Sequence, residues 1–424
     1  MALWFAITRD AFRLGYPIIR FSFKDGPQGA GNGRHRRTVV INIMRSLSIP
    51  GSTYGEGLRM KFTSIAQGLG LALASTMLLI PHSGLAQTPA PMASSCVPAS
   101  PGAPPMPSIG GAGQPDRRPV TAETRALTTT QIPGVVAGGL RWAKIWQGAG
   151  NSADGLLPTK SGGVLVAQED FDTVLQIEAS GKASTIVSDA KGIGSLSMDR
   201  EGRLYGAHRT ERPGSTKPDI DKIVNAITEL APQRHVISDK WADGSILTTR
   251  PNDLAADGHG GAYFTSGCLY YAQATGAVVL ADNLNTNGVI FSRDDKVLYV
   301  TNGTTVVAFD VVGVGKLENR RVFATLSSGG TADGLTIDDG GRLYVTSQPG
   351  VQVFDNSGAH LGLIPTPRAV ISIAFSGPQK KTLYVVGSGA NDDNGRPIRQ
   401  GPQQTAATLY SLPMIARGIQ GRAK

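Results

Sequence analysis

The sequence predicts an all-β protein, a six-bladed β-propeller preceded by a signal peptide and a Pro-rich linker. Three observations carry that expectation. Among 424 residues, 54 are Gly and 26 Pro while only 17% are charged, the composition of a turn-rich chain with a core. From about residue 139, short β-branched and aromatic runs alternate with Gly/Asp/Asn turns. One position ahead of those runs recurs six times at a spacing of about 43 residues, the period of blade-like repeats.

The net charge of +9 is not spread over the chain. Ten Lys/Arg and three acidic residues lie in 1–61, so most of the excess sits in the leader. It is no signature of nucleic-acid binding by the folded part. Residues 1–59 show no clear helical or strand period and include the basic Arg34-His35-Arg36-Arg37 cluster. They read as a non-native extension upstream of a start at Met60. Residues 60–86 read as a signal peptide: Met60-Lys61, the uncharged run 65–80, then Gly84-Leu85-Ala86 before Gln87. The run is short for a bilayer core of about 30 Å and ends at Pro81, which favours cleavage over anchoring. The expected location is therefore periplasmic or secreted, with no membrane association after cleavage.

Residues 87–138 are Pro/Ala/Ser-rich and read as an extended linker. Cys96 falls there and reads as a free thiol; Cys268 reads as a small buried hydrophobe. Two cysteines exclude a disulfide scaffold and a four-cysteine zinc site.

Residues 139–415 carry the repeats, among them GRLYGA (202–207), GAYFTS (261–266), KVLYVTN (296–302), GRLYVTS (341–347) and KTLYVVGS (381–388). Residues 208–221 read as a polar surface loop, with His208 either facing the channel or lying in that loop. Residues 407–412 read as a late strand of the last blade, 139–147 as the strand that closes the ring, and 416–424 as a basic tail.

The recurring position holds Asp154, Gly194, Asn252, Asn287, Asp333 and Ile371. In a propeller these converge on the central channel. Two carboxylates and two carboxamides make a hard oxygen set suited to Ca²⁺, and the absence of His and Cys from it disfavours a soft metal. Taken singly, Asn287-Gly288 and Asp333-Gly334 are also ordinary turn pairs; the common offset is what points to a site. Arg250, two residues before Asn252, reads either as a clamp on a carboxylate or sugar hydroxyl or as an ordinary surface arginine. No nucleophile elbow, phosphate loop or His-Glu-x-x-His helix is present.

The segments RPNDLAADGHGGAYFT, NGVIFSRDDKVLYVTN and DGLTIDDGGRLYVTSQPGVQVFDNSGAHLGLIPTP resemble the gluconolactonase/regucalcin (senescence marker protein) family over roughly 140–412. The resemblance implies a six-bladed propeller with one divalent ion in the channel and hydrolysis of sugar lactones or related esters. It implies that Asn287 and Asp333 are metal ligands and that Asp333 is the catalytic base. Asn252 would stand at the metal or the substrate, and Arg250 at the substrate. Asp154 stands where the family has Glu, Gly194 where it often has Asn, and GAHRTERPG (206–214) replaces a Glu-His-Gly-Asn-like run. SGCLYYA (266–272) lacks the family's usual substrate residue. Ca²⁺ suits the donors; Zn²⁺, Mn²⁺ and Mg²⁺ are not separated from it by sequence. A non-catalytic propeller that binds a ligand or protein is the competing reading.

Overall fold

Each recurring run becomes a strand that is apolar on both faces. A computed structural model describes the strands at 19–23, 38–43 and 58–63, together with residues 127–149, 153–209, 223–327, 330–398 and 406–420. The chain divides into two compact units, Met1–Thr88 and Pro89–Lys424.

In the first unit, β1 (Ile19–Phe23), β2 (Thr38–Ile43) and β3 (Leu58–Thr63) form an antiparallel sheet in that order. The sequence shows no strand period before residue 60, yet β1 and β2 form there and β3 begins there. The β-branched run Thr-Val-Val-Ile-Asn-Ile of the central strand suits a sheet. Met60 lies within β3, opposite Ile41, and the apolar run 65–80 falls outside the described residues.

The second unit is a ring of sheets. Its first strand, β4 (Ala143–Ala149), belongs to the last sheet. Next come β5 (Ala153–Pro158), β6 (Val164–Gln168), β7 (Thr173–Ile177) and β8 (Ala183–Val187), one sheet in order. A second sheet holds β9 (Ile193–Met198), β10 (Leu204–His208), β11 (Ala226–Ala231) and β12 (His235–Ser238). Two repeats then share one continuous sheet. It runs β14 (Leu254–Ala256), β15 (Ala262–Ala272), β16 (Ala277–Phe291), β17 (Val297–Asn302), β18 (Thr305–Gly313), β19 (Lys316–Thr325). The short β13 (Lys240–Trp241) pairs in parallel with β16. The sequence treats these repeats as separate units. They merge because β16 pairs with β15 through its first part and with β17 through its last.

The chain continues into β20 (Leu335–Ile337), β21 (Leu343–Ser347), β22 (Gly350–Phe354) and β23 (His360–Pro365). It ends in β24 (Val370–Ser376), β25 (Thr382–Ser388) and β26 (Ala406–Pro413). β26 pairs with β4, Leu409 opposite Trp146, so the first and last strands of the ring share a sheet, as 139–147 and 407–412 predict.

Because each sheet is covered on both sides, neighbouring residues of an inner strand or its partner serve different clusters. Leu156 packs with Tyr384 and Leu409, while Leu157 packs with Leu196 and Leu204. The same division separates Leu204 from Tyr205, Tyr263 from Phe264, Val289 from Ile290, Leu343 from Tyr344 and Leu383 from Tyr384. This is why the runs read as continuously apolar rather than alternating.

The ring-bearing unit extends past the boundaries that composition suggests. Within the Pro-rich stretch, Ile132, Val135 and Val136 are buried beside Tyr344, Ile373 and Met414. Within the basic tail, Ala416 and Ile419 are buried. The Val135 carbonyl accepts the N–H groups of Ile415 and Ala416 at 3.0 and 3.1 Å. Three apolar side chains among small and polar ones are too few to register in a compositional reading.

The turns between inner and second strands carry a repeated clamp. Asp338 accepts the Arg342 N–H at 2.9 Å, its Nε–H at 2.6 Å and the Tyr344 hydroxyl at 2.9 Å. Asp199 does the same with Arg203 and Tyr205, at 2.9, 2.6 and 3.0 Å. Burial and the adjacent carboxylate push both tyrosine hydroxyls above their ordinary pKa, so they remain donors. Asp338→Ala is expected to destabilise the protein by about 3 kcal/mol, because Arg342 and the buried Tyr344 hydroxyl lose their acceptor. Chemical denaturation of the variant beside the wild type measures this.

Candidate active site

Of the six recurring positions, four lie at irregular points of their inner strands and two just before them. Pairing slips between Asp154 and Leu157 in β5, across Gly194 in β9, between Thr286 and Val289 in β16, and across Ile371 in β24. Such bulges re-aim side chains and bend the strand. Asn252 and Asp333 come just before β14 and β20, their N–H groups bonded to the carbonyls of Thr265 and Thr346 at 2.7 and 3.0 Å.

Successive positions meet around the ring. A Cβ on Gly155, whose φ is +63°, would lie 2.3 Å from the Leu196 nitrogen. The Ser195 hydroxyl donates to Asp253 Oδ1 at 2.8 Å, and Asp253 Oδ2 accepts the Val289 N–H at 3.1 Å. A Cβ on Gly288 would lie 2.3 Å from the Asp333 carbonyl oxygen, and one on Gly334 2.5 Å from that of Ile371. The Leu156 N–H closes the circuit onto the Ser372 hydroxyl at 3.1 Å. The glycines after Asp154, Asn287 and Asp333 are thus more than turn residues: they let the next inner strand approach.

Asp154, Arg250, Asn252, Asn287 and Asp333 are all half-buried among buried neighbours. Asp154 Oδ1 accepts the Gly155 N–H at 2.7 Å. Asn252 Nδ2 donates to Asn287 Oδ1 at 2.5 Å, joining two predicted residues directly. The Asn287 and Gly288 N–H groups bond to the Thr301 hydroxyl at 3.1 and 2.7 Å.

Arg250 is not a free surface arginine. Its Nη2 donates to Glu169 Oε1, and its carbonyl accepts the Ser266 hydroxyl at 2.6 Å. Glu169 is fully buried in a one-turn 3-10 segment, Glu169–Phe171, that ends β6. It also binds Arg209, whose Nε–H donates to Oε2 at 2.8 Å and whose Nη2 lies 2.6 Å from it. Arg209 Nη1 in turn donates to Asn252 Oδ1 at 2.9 Å. Both ends of the Asn252 carboxamide therefore engage protein groups, which makes it a bridge between Arg209 and Asn287. Ile371, also half-buried, brings no polar group to the ring.

Sequence reasoning missed Glu169, Arg209 and the supporting threonines. His208 and Arg209 open the stretch 208–221 read as a polar surface loop, yet both are buried; 210–222 lie outside the described residues. Their N-terminal neighbours in β10 hold them in the sheet, the Arg209 N–H reaching the Gly192 carbonyl at 2.9 Å. Burial pushes the His208 imidazole below its ordinary pKa, against the pull of its bond to the Lys191 carbonyl. Thr265, Thr301 and Thr346 are fully buried and occupy one position in the three Tyr-x-Thr runs, a recurrence that could have revealed them. Thr265 bonds to the Asn287 carbonyl, and Thr346 to that of Ile371.

A sequence profile of the SMP-30/Gluconolactonase/LRE-like region matches residues 173–389. The chain belongs to this family. The match spans Arg209, Arg250, Asn252, Asn287 and Asp333 and leaves Asp154 and Glu169 outside. Pentonolactonase XacC of Haloferax volcanii is 29% identical over 246 residues, 55% of this chain and 76% of that protein. Lactonohydrolase oryH of Aspergillus oryzae is 32% identical over 149 residues, 28% of this chain and 32% of the relative. This match therefore spans about a third of the fungal relative. A gluconolactonase structure from Xanthomonas campestris superposes with a TM-score of 0.53 over 70% of this chain and 97% of its own, at 23% identity, which is a likeness of fold.

Gly288→Ala tests the family member's ring contact. Its Cβ would fall on the Asp333 carbonyl, so the two inner strands must separate. The variant is expected to lose about 1–3 kcal/mol of stability. Thermal unfolding beside a Gly313→Ala control, where a Cβ meets only Lys316 side-chain carbons at 3.7 and 3.9 Å, measures it.

Proposed function

We propose that this chain is an exported, metal-dependent hydrolase of sugar lactones or related esters, built on a six-bladed β-propeller. The observation that carries the reading is the contiguity of Asn252, Asn287 and Asp333: two carboxamides in contact, and Gly288 against the Asp333 backbone. The pentonolactonase relative supports the substrate class. The closed circuit of inner strands and the two-sided burial of each sheet support the blade count.

The oxygen donors fit a hard divalent cation. Among the described residues no group of three or more His, Cys, Asp and Glu side chains gathers. The candidates are two carboxylates and carboxamides, a set that suits Ca²⁺ better than Zn²⁺. Asp154, Asn287 and Asp333 would hold the ion, with the Asn252 carboxamide beside it. When bound, a divalent ion polarises a carbonyl oxygen and acidifies water.

The chain's own groups would act as follows. Arg250 and Asn252 orient the lactone ring oxygens. The Asp333 carboxylate takes a proton from the water that attacks the carbonyl carbon. The ring C–O bond breaks, and Asp333 returns the proton to the departing alkoxide oxygen. The product is the open-chain hydroxy acid, and water is the sole co-reactant.

The test is turnover of gluconolactone and a small lactone and ester panel, after chelation and with Ca²⁺, Zn²⁺, Mn²⁺ or Mg²⁺ restored. Activity should return with a metal. Asp333→Ala should lower kcat by at least 10²-fold while the protein stays folded. A folded protein that turns over none of the panel with any ion would favour the binding-protein reading.

Export has separate support. Cys268 is buried, as its apolar surroundings suggest, and it is disulfide-bonded. The sequence offers one other cysteine, Cys96, which lies outside the described residues. Disulfides persist in oxidising compartments. Alkylation of the unfolded, unreduced protein is expected to label no thiol, and alkylation after reduction two.

A further inference from the structure

The second recurring position has no side chain, and Arg209, the residue just past the end of β10, fills its place. A Cβ on Gly194 would lie 1.9 Å from Arg209 Nε, 2.2 Å from Cζ and 2.6 Å from Cδ. The guanidinium therefore lies directly over the Gly194 backbone. A second glycine admits the main chain: a Cβ on Gly192 would lie 2.4 Å from the Arg209 carbonyl oxygen. The Lys-Gly-Ile-Gly segment 191–194 is thus shaped to receive Arg209 twice, once for its carbonyl and once for its side chain.

What the guanidinium does there follows from its chemistry. Arginine only donates. Its partner in Asn252 must be the carboxamide oxygen, as the 2.9 Å contact of Nη1 with Oδ1 shows. That choice turns Asn252 Nδ2 toward Asn287, where it meets Oδ1. A flipped Asn252 would set donor against donor at Arg209 and acceptor against acceptor at Asn287. The Glu169 carboxylate, fully buried, fixes the guanidinium itself by two contacts. Orientation thus passes along Glu169, Arg209, Asn252 and Asn287.

We propose that Arg209, seated on Gly194 and held by Glu169, is a positioning residue that sets the carboxamide orientation of Asn252 and, through it, of Asn287. It does from the end of the second strand what a side chain at position 194 would do from the first. Its effect on metal affinity rests on the functional reading given above; its effect on Asn252 does not.

Gly194→Ala is the cleanest test, because it leaves every charge in place and moves only the seat of the guanidinium. Arg209→Lys is the companion variant, keeping the charge but losing the planar fork. Three quantities are read: the exchange rate of the Asn252 side-chain NH₂ protons by NMR in metal-free protein, the Kd for Ca²⁺ by calorimetry, and the melting temperature. Both variants are expected to melt within a few degrees of wild type and to exchange the Asn252 amide at least tenfold faster. Both should bind Ca²⁺ about 10–100-fold more weakly, the usual loss when a group behind a metal ligand is removed. Unchanged amide exchange in folded Gly194→Ala overturns the proposal. If wild type takes up none of Ca²⁺, Zn²⁺, Mn²⁺ and Mg²⁺, the functional reading fails on its own, and the amide exchange still decides the role of Arg209.

Discussion

The ring depends on how closely one inner strand can approach the next. At Gly288 and Gly334 the backbone of the following repeat occupies the space of a missing side chain, its carbonyl oxygen 2.3 and 2.5 Å from where a Cβ would stand. Asp253 fastens the neighbouring junctions with one carboxylate, taking the Ser195 hydroxyl on one oxygen and the Val289 N–H on the other. These contacts bring polar side chains from different sheets within reach of one another. Without them the same residues would decorate separate strands. The bulges complete the arrangement, since each extra residue lets a strand keep its core-facing register while its inner end turns toward the channel.

The electrostatics of the inner ring are unequal. A single buried carboxylate, Glu169, binds two guanidiniums, those of Arg209 and Arg250. Asp154 and Asp333, by contrast, are only half-buried. Buried charge pairs contribute little net stability, so the Glu169 cluster is better understood as a fixture for geometry than as a source of folding energy. Arginine suits that use because its donors form a rigid plane that holds two partners in a set relation.

Much of this was legible in the sequence, and the exceptions have physical causes. Asp154, Asn252, Asn287 and Asp333 could be found because repetition places them at one offset before a strand, and Arg250 because it stands two residues from Asn252. Glu169 and Arg209 are not periodic. Each follows the end of a strand in a polar stretch, where charge ordinarily means solvent, and only the tertiary pairing of the two makes their burial tolerable. The empty slot at Gly194 was visible as a departure, but a glycine does not announce what fills it. Residues 127–138 read as linker because their burial rests on three side chains, Ile132, Val135 and Val136. The fused sheet of β14 to β19 escaped because repeat spacing does not reveal where the chain turns between strands.

The shared sheet of β4 and β26 gives the domain a property of its own. The chain enters the ring next to where it leaves, and Val135 touches residues 415 and 416 directly. In topological terms the sequence is almost a closed loop that happens to be cut between the third and fourth strands of one sheet. The cut could be moved. A gene rejoined across this seam and reopened at a surface turn elsewhere would encode the same circuit of contacts. The order in which the sheets are synthesised is therefore separable from the structure they make.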